Sequence, residues 1–185
     1  MAVRPVLGGS LPIGLLVDMR FLDRIDAARV ARKLERQSGK TSPQFTLFYT
    51  SGATDYSAAA SAIIGALGAF TQATLICTDL PWGDFWNDDD KRWKSFYEWR
   101  RALGATARLH DVPGHEVDMH EIEPLRQAIA WALNLGWDAE LFGSRGRYRL
   151  RLSHNDWIDI FRVQDKRKLT RKLQRLGFRV AGKGA

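Results

Sequence analysis

The residues best suited to chemistry lie in two short polar loops. Thr54 and Asp55 stand in the first, and Asp79 and Asp84 bound the second. Asp18 closes an apolar run further upstream. In a parallel α/β sheet such loops share the carboxyl edge of the strands, where ligands bind. Each carboxylate also has a purely local reading. Asp18 and Asp79 can close strand ends, and Asp55 can sit in the first turn of a helix, where its charge favours the dipole.

His115, Asp118, His120 and Glu121 crowd one segment and are of zinc-ligating types. Their spacing matches no closed site, so a solvated loop and helix start is the stronger reading. The Asp88–Asp90 run sits before a helix, whose N-terminal dipole accounts for it. Cys77 is the single cysteine; it lies within the strand-like LICT and reads as a small buried residue. Glycine-rich phosphate fingerprints are absent.

The charge of +7 is unevenly placed. Residues 143–185 hold 13 Lys or Arg against three Asp, while the remainder is slightly acidic. This basic C-terminal extension contains Arg147, Arg149 and Arg151, and then a helical run with Lys168, Arg171, Lys172 and Arg175 on one face. Such a surface points to nucleic acid, an acidic partner protein or another polyanion.

These residues must be held by elements that periodicity predicts. The 185 residues, 45% hydrophobic, suffice for one domain with a substantial core. Residues 1–10 read as a flexible arm. A strand is expected at 11–18 and a helix at 23–37, with Ile25, Ala28, Val30, Ala31 and Leu34 inward. Then follow a strand at 45–49, an Ala-rich helix at 55–70, a strand at 73–78, a loop at 80–90 and a helix at 91–103. A fourth strand is expected at 105–112, ended by Pro113-Gly114, and then a helix at 121–135. Strands at 138–142 and 147–152 flank a glycine-containing turn, a hairpin signal. Residues 157–163 are ambiguous, with Ser153 and Asp156 favouring helix. A basic helix at 165–176 and a short strand at 178–180 follow. No run is long and apolar enough for a membrane span and no signal peptide is visible, so a cytoplasmic protein is expected. Oligomeric state is not legible.

Strands alternating with helices imply a mainly parallel central sheet with helices on both faces, a Rossmann-like α/β fold. LLVD ending at Asp18, GATD at 52–55 and LICTD ending at Asp79 resemble the motifs of von Willebrand factor A-like domains. The resemblance spans roughly residues 11–114. It implies that Asp18, Thr54, Asp55 and Asp79 form a partner-binding edge. Arg20 and Leu22 replace the family's two metal-binding serines, so a degraded metal site without cofactor is expected, with Arg20 paired to Asp18 or Asp79. The same carboxylates, with Asp84, also resemble NYN and PIN-type nucleases. That resemblance implies Mg²⁺-dependent phosphodiester cleavage by Asp18, Asp55, Asp79 and Asp84. The reading adopted is a non-catalytic binding module of a larger assembly, docking protein or nucleic acid through the sheet edge and the basic extension. The nuclease is the alternative.

Overall fold

A computed structural model describes residues 19–39, 42–49, 55–68, 70–80, 91–118, 122–143 and 146–181. The strand expected at 11–18 and most of the loop at 80–90 lie outside them. The elements in chain order are β1 (Arg20–Leu22), α1 (Arg24–Ser38), β2 (Phe45–Phe48), α2 (Tyr56–Leu67), β3 (Gln72–Asp79), α3 (Lys91–Ala102) and β4 (Gly114–Asp118). They continue with α4 (Ile122–Leu135), β5 (Asp138–Gly143), β6 (Tyr148–Ser153), β7 (Trp157–Arg162), α5 (Lys166–Arg175) and β8 (Arg179–Val180). Among the described residues no helix is long and apolar enough to cross a membrane.

The strands form one eight-stranded sheet in the order β1-β4-β3-β5-β6-β7-β2-β8, and every neighbouring pair is antiparallel. This overturns the expected mainly parallel, Rossmann-like sheet and with it the resemblance to von Willebrand factor A-like domains. The physical reason lies in which strands become neighbours. Counting directions along the sheet, β1, β2 and β3 run the same way, as do β4 and β5. The units β1-α1-β2, β2-α2-β3, β4-α4-β5 and β7-α5-β8 are therefore same-direction crossovers, whereas α3 joins the antiparallel neighbours β3 and β4. None of those four crossovers joins adjacent strands: for example, β3 lies between β4 and β5, and the β5-β6-β7 meander lies between β3 and β2. Each gap holds an odd number of strands of alternating direction, so no two strands of the same direction become neighbours.

The pleat sorts the side chains into two unlike faces. On one face, cross-strand rows such as Leu75, Leu141, Leu150, Ile160 and Phe45 run unbroken across five strands. Helices α2, α4 and α5 bury this face, with Ile63, Leu67, Leu125, Ile129, Leu169 and Leu173 in one core with it. The opposite face carries Ile76, Glu140, Arg151, Asp159 and Thr46 in one row. There α1 packs Ala27 and Leu34 against Leu22, Ile76 and Phe142. Asp23 caps α1 by accepting the Asp26 N–H at 2.8 Å. Its inward stripe is Ala27, Val30, Ala31 and Leu34, whereas Ile25 and Ala28, also expected inward, stand in solvent.

Two further expectations are corrected. Residues 105–112 form turns rather than a strand, because side chains from α3 take their backbone groups. Tyr97 Oη accepts the Leu109 N–H at 3.1 Å, and Arg100 Nη2 donates to the Val112 carbonyl at 2.9 Å. The strand begins instead at Gly114, which lies across from Leu22; a Cβ there would meet the Leu22 Cβ at 2.6 Å. Residues 157–162 are strand β7, not helix. Ser153 and Asp156 serve the β6–β7 turn: Ser153 Oγ accepts the Asn155 N–H at 3.3 Å, and Asp156 takes the left-handed conformation at φ 64°. The strands at 138–143 and 148–153 and the helix at 166–175 match the sequence reading closely.

Candidate nucleic-acid interface

Helix α5 is built to expose charge. Asp165 caps it by accepting the Lys168 N–H at 2.9 Å. Leu169 and Leu173, four residues apart, share one side and are buried in the main core. They reach it because α2 opposes them with small residues: Ala62, Gly65 and Ala66 line a narrow crevice with Leu169, Lys168 and Lys172. The other sides of α5 hold Lys166, Arg167, Lys168, Arg171, Lys172 and Arg175, all exposed. Lys166 is partly committed, its Nζ lying 4.3 Å from the centre of the Phe45 ring. The helix contains no acidic residue, and none of the six has an ion pair among the described residues. Lys172 and Arg175 fall in the last turn, where positive charge complements the helix dipole.

The arginines of β6 are placed differently. Tyr148, Leu150 and Leu152 enter the core and Arg149 and Arg151 project to the opposite face, the period-two alternation of a strand packed on one side. That face supplies acids of its own. Arg149 is buried; its Nε and Nη2 donate to the two Glu140 oxygens at 2.7 and 3.0 Å, and Nη2 also reaches Glu35 of α1 at 2.9 Å. Its guanidinium stacks 4.3 Å from the Phe161 ring centre. Burial opposes the Arg149 charge, but Glu140 and Glu35 more than offset it and raise its pKa. Arg151 Nη2 donates to Asp159 at 2.6 Å, and Thr46 Oγ1 donates to the same carboxylate at 2.6 Å. Arg147 is exposed in the turn before β6 and lies over the Tyr148 ring. The sheet thus separates Arg149 and Arg151 from α5.

The candidate carboxylates fall as follows. Asp55 caps α2, accepting the Ala58 N–H at 2.9 Å. Asp79 ends β3 and accepts the Leu80 N–H at 2.8 Å. Asp18, Thr54 and Asp84 lie outside the described residues. Arg20 pairs with Glu116 on the neighbouring strand at 3.3 Å. The strands that lead to Asp55 and Asp79, β2 and β3, run the same way but are separated in the sheet by β5, β6 and β7. His115 is buried, while His120 and Glu121 lie outside the described residues. Among the described residues no group of three or more His, Cys, Asp or Glu could hold a metal ion.

Two features escaped sequence reasoning. One is a groove of about 340 Å³ between α1 and the sheet, lined by Lys33, Gln37, Gln72, Thr74, Glu116 and Phe142. The other is the buried aromatic cluster of Trp93, Phe96, Trp131 and Trp137 around α3 and α4. Beside it Arg100 stacks on Phe21 and Phe96 and lies close to the fully buried His115. Burial, and secondarily the Arg100 charge, holds the His115 pKa down at about 3. The abundance of tryptophan was the visible signal for this cluster; its partners were not visible.

Comparison of the chain with protein-family models, curated proteins and solved structures gives no match.

Proposed function

We propose that this chain is a nucleic-acid-binding module that acts by association rather than catalysis, with the cationic face of α5 as its phosphate contact. The observation that carries this reading is the set of six exposed Lys and Arg on one short helix, with no acidic residue among them. Arg149 and Arg151 support the reading by contrast, since each has a carboxylate partner within the fold. Lys168, Arg171, Lys172 and Arg175 share a face at helical spacing and are the residues assigned to phosphates. Phosphate contacts carry no base information, so binding is largely sequence-independent.

Fluorescence anisotropy against a generic duplex, at several salt concentrations, tests this. Four phosphate contacts give a slope of log K against log salt of about −3.6, at roughly −0.9 per contact. Changing Arg171, Lys172 and Arg175 to Glu should flatten the slope to about −1. At about 0.1 M salt it should weaken binding by at least about 500-fold, roughly eightfold per lost contact. Salt-indifferent binding, or unchanged affinity, refutes the proposal and leaves an acidic protein as the better partner for α5.

A further inference from the structure

We propose that the sheet face formed by β7, β2 and β8 is a stacking platform for the bases of a single-stranded nucleic acid. The inference rests on the nucleic-acid reading of α5 and adds the form of nucleic acid that is bound. It starts from the half of the polar face that α1 leaves uncovered. Helix α1 closes the face over Leu22, Ile76 and Phe142, and its Glu35 reaches as far as Arg149. Beyond Arg149 no described helix lies on this side of the sheet.

Two aromatic side chains stand there on adjacent strands. Phe48 of β2 and Trp157 of β7 are in register, their ring centres 6.3 Å apart at an interplanar angle of 78°. Phe48 is 43% exposed although it lies within a paired strand, while its neighbour Leu47 is fully buried on the other face. Of the large hydrophobic side chains exposed among the described residues, Phe48 alone is aromatic. A ring fixed on a strand and left in water offers a flat apolar surface at little conformational cost. Bases freed from a duplex stack on such surfaces, largely without regard to sequence.

The charge around the pair favours an anionic chain. Arg179 of β8 lies directly across from Phe48 in the register and is exposed. Arg151 lies one pair along β6, and its side chain is 45% exposed even while it holds Asp159. Arg179 also links this face to α5. Only Leu176, Gly177 and Phe178 separate it from Arg175, so the two Cα atoms lie at most about 14 Å apart. A backbone held on the last turn of α5 can therefore pass the β8 edge at Arg179 and lay its bases on Phe48 and Trp157.

The test measures binding of a labelled oligothymidylate and of a duplex of equal length by anisotropy. It uses the wild-type chain, Phe48→Leu, Phe48→Tyr, Arg179→Glu and the α5 triple Glu variant, each first checked for a native melting transition. Phe48→Leu should weaken oligothymidylate binding by about five- to 100-fold. It should leave the salt slope and the duplex affinity unchanged, and Phe48→Tyr should restore binding to within about twofold. Arg179→Glu should weaken single-strand binding and flatten its slope by about 0.7. Ultraviolet crosslinks to the oligothymidylate should map to Phe48 or Trp157. If Phe48→Leu binds oligothymidylate like wild type, or the crosslinks fall only on α5, the platform is refuted while the α5 reading stands. If the wild-type chain binds neither nucleic acid, both fall.

Discussion

Arg149 looked in the sequence like one of three arginines free to meet phosphate, and its replacement discriminates sharply between that role and a structural one. In Arg149→Met the new side chain keeps much of the apolar stem over Phe161 and can make a sulfur–aromatic contact there. What disappears is the fork that holds both Glu140 oxygens at 2.7 and 3.0 Å. Both side chains of that pair are only 10% exposed, so Glu140 would be left as an uncompensated charge away from water. Removing one partner of a buried pair costs about 3–5 kcal/mol. The Glu35 carboxylate is 45% exposed and adds no more than about 1 kcal/mol. Such a loss is a large share of a total stability of about 5–15 kcal/mol. At about 2–4 °C per kcal/mol, the melting temperature should fall by about 6–20 °C. Urea unfolding followed by circular dichroism measures the difference directly. Adding Glu140→Leu to Arg149→Met removes both charges and should recover stability to within about 1.5 kcal/mol of wild type, because an apolar pair carries no desolvation penalty. A single-variant cost below about 1 kcal/mol, or a double variant as unstable as the single, would refute this account of the buried pair. The nucleic-acid salt slope of the double variant should equal that of the wild type.

Two other outcomes follow from particular residues. His115 is buried with its pKa held at about 3, so between pH 6.5 and 3 the unfolded chain binds a proton that the folded chain excludes. Stability should therefore fall by about 1.4 kcal/mol per pH unit over that window relative to His115→Phe, which keeps the ring between Phe21 and Trp99. Parallel unfolding profiles for the two proteins would show that His115 does not titrate in this way. Gly146 has φ +81°, and a Cβ on it would lie 2.5 Å from the Leu34 carbonyl oxygen of α1. Gly146→Ala should cost at least about 1–2 kcal/mol from the left-handed backbone alone, with α1 displaced in addition. An unchanged melting temperature would contradict that packing.

What the sequence determined by itself was the identity of most elements, because those signals are local. Asp23 caps its helix, and Asp55 and Asp165, placed by the sequence within the first turns of theirs, stand one residue earlier as caps. The alternation of Tyr148, Leu150 and Leu152 with Arg149 and Arg151 correctly divided β6 between two faces. The exposed cations of α5 followed from its two buried leucines at helical spacing. The misassigned stretches are those where distant or turn contacts outweigh periodicity: Tyr97 and Arg100 hold residues 109 and 112 in turns, and Asp156 closes a hairpin that resembled a helix start.

Tertiary structure alone decided how strands pair and which charges remain available. A strand–helix–strand pattern fixes neither direction nor contact: β3 and β4, joined by α3, pair antiparallel, while the strands joined by the other helices run the same way without touching. Here the β5-β6-β7 meander inserts between β3 and β2, and β3 between β4 and β5, so a chain with parallel crossovers builds an entirely antiparallel sheet. The same pairing brings Glu140 and Asp159 beside Arg149 and Arg151, and Phe48 beside Trp157. Those partners lie between eight and more than one hundred residues apart, beyond the reach of any local pattern.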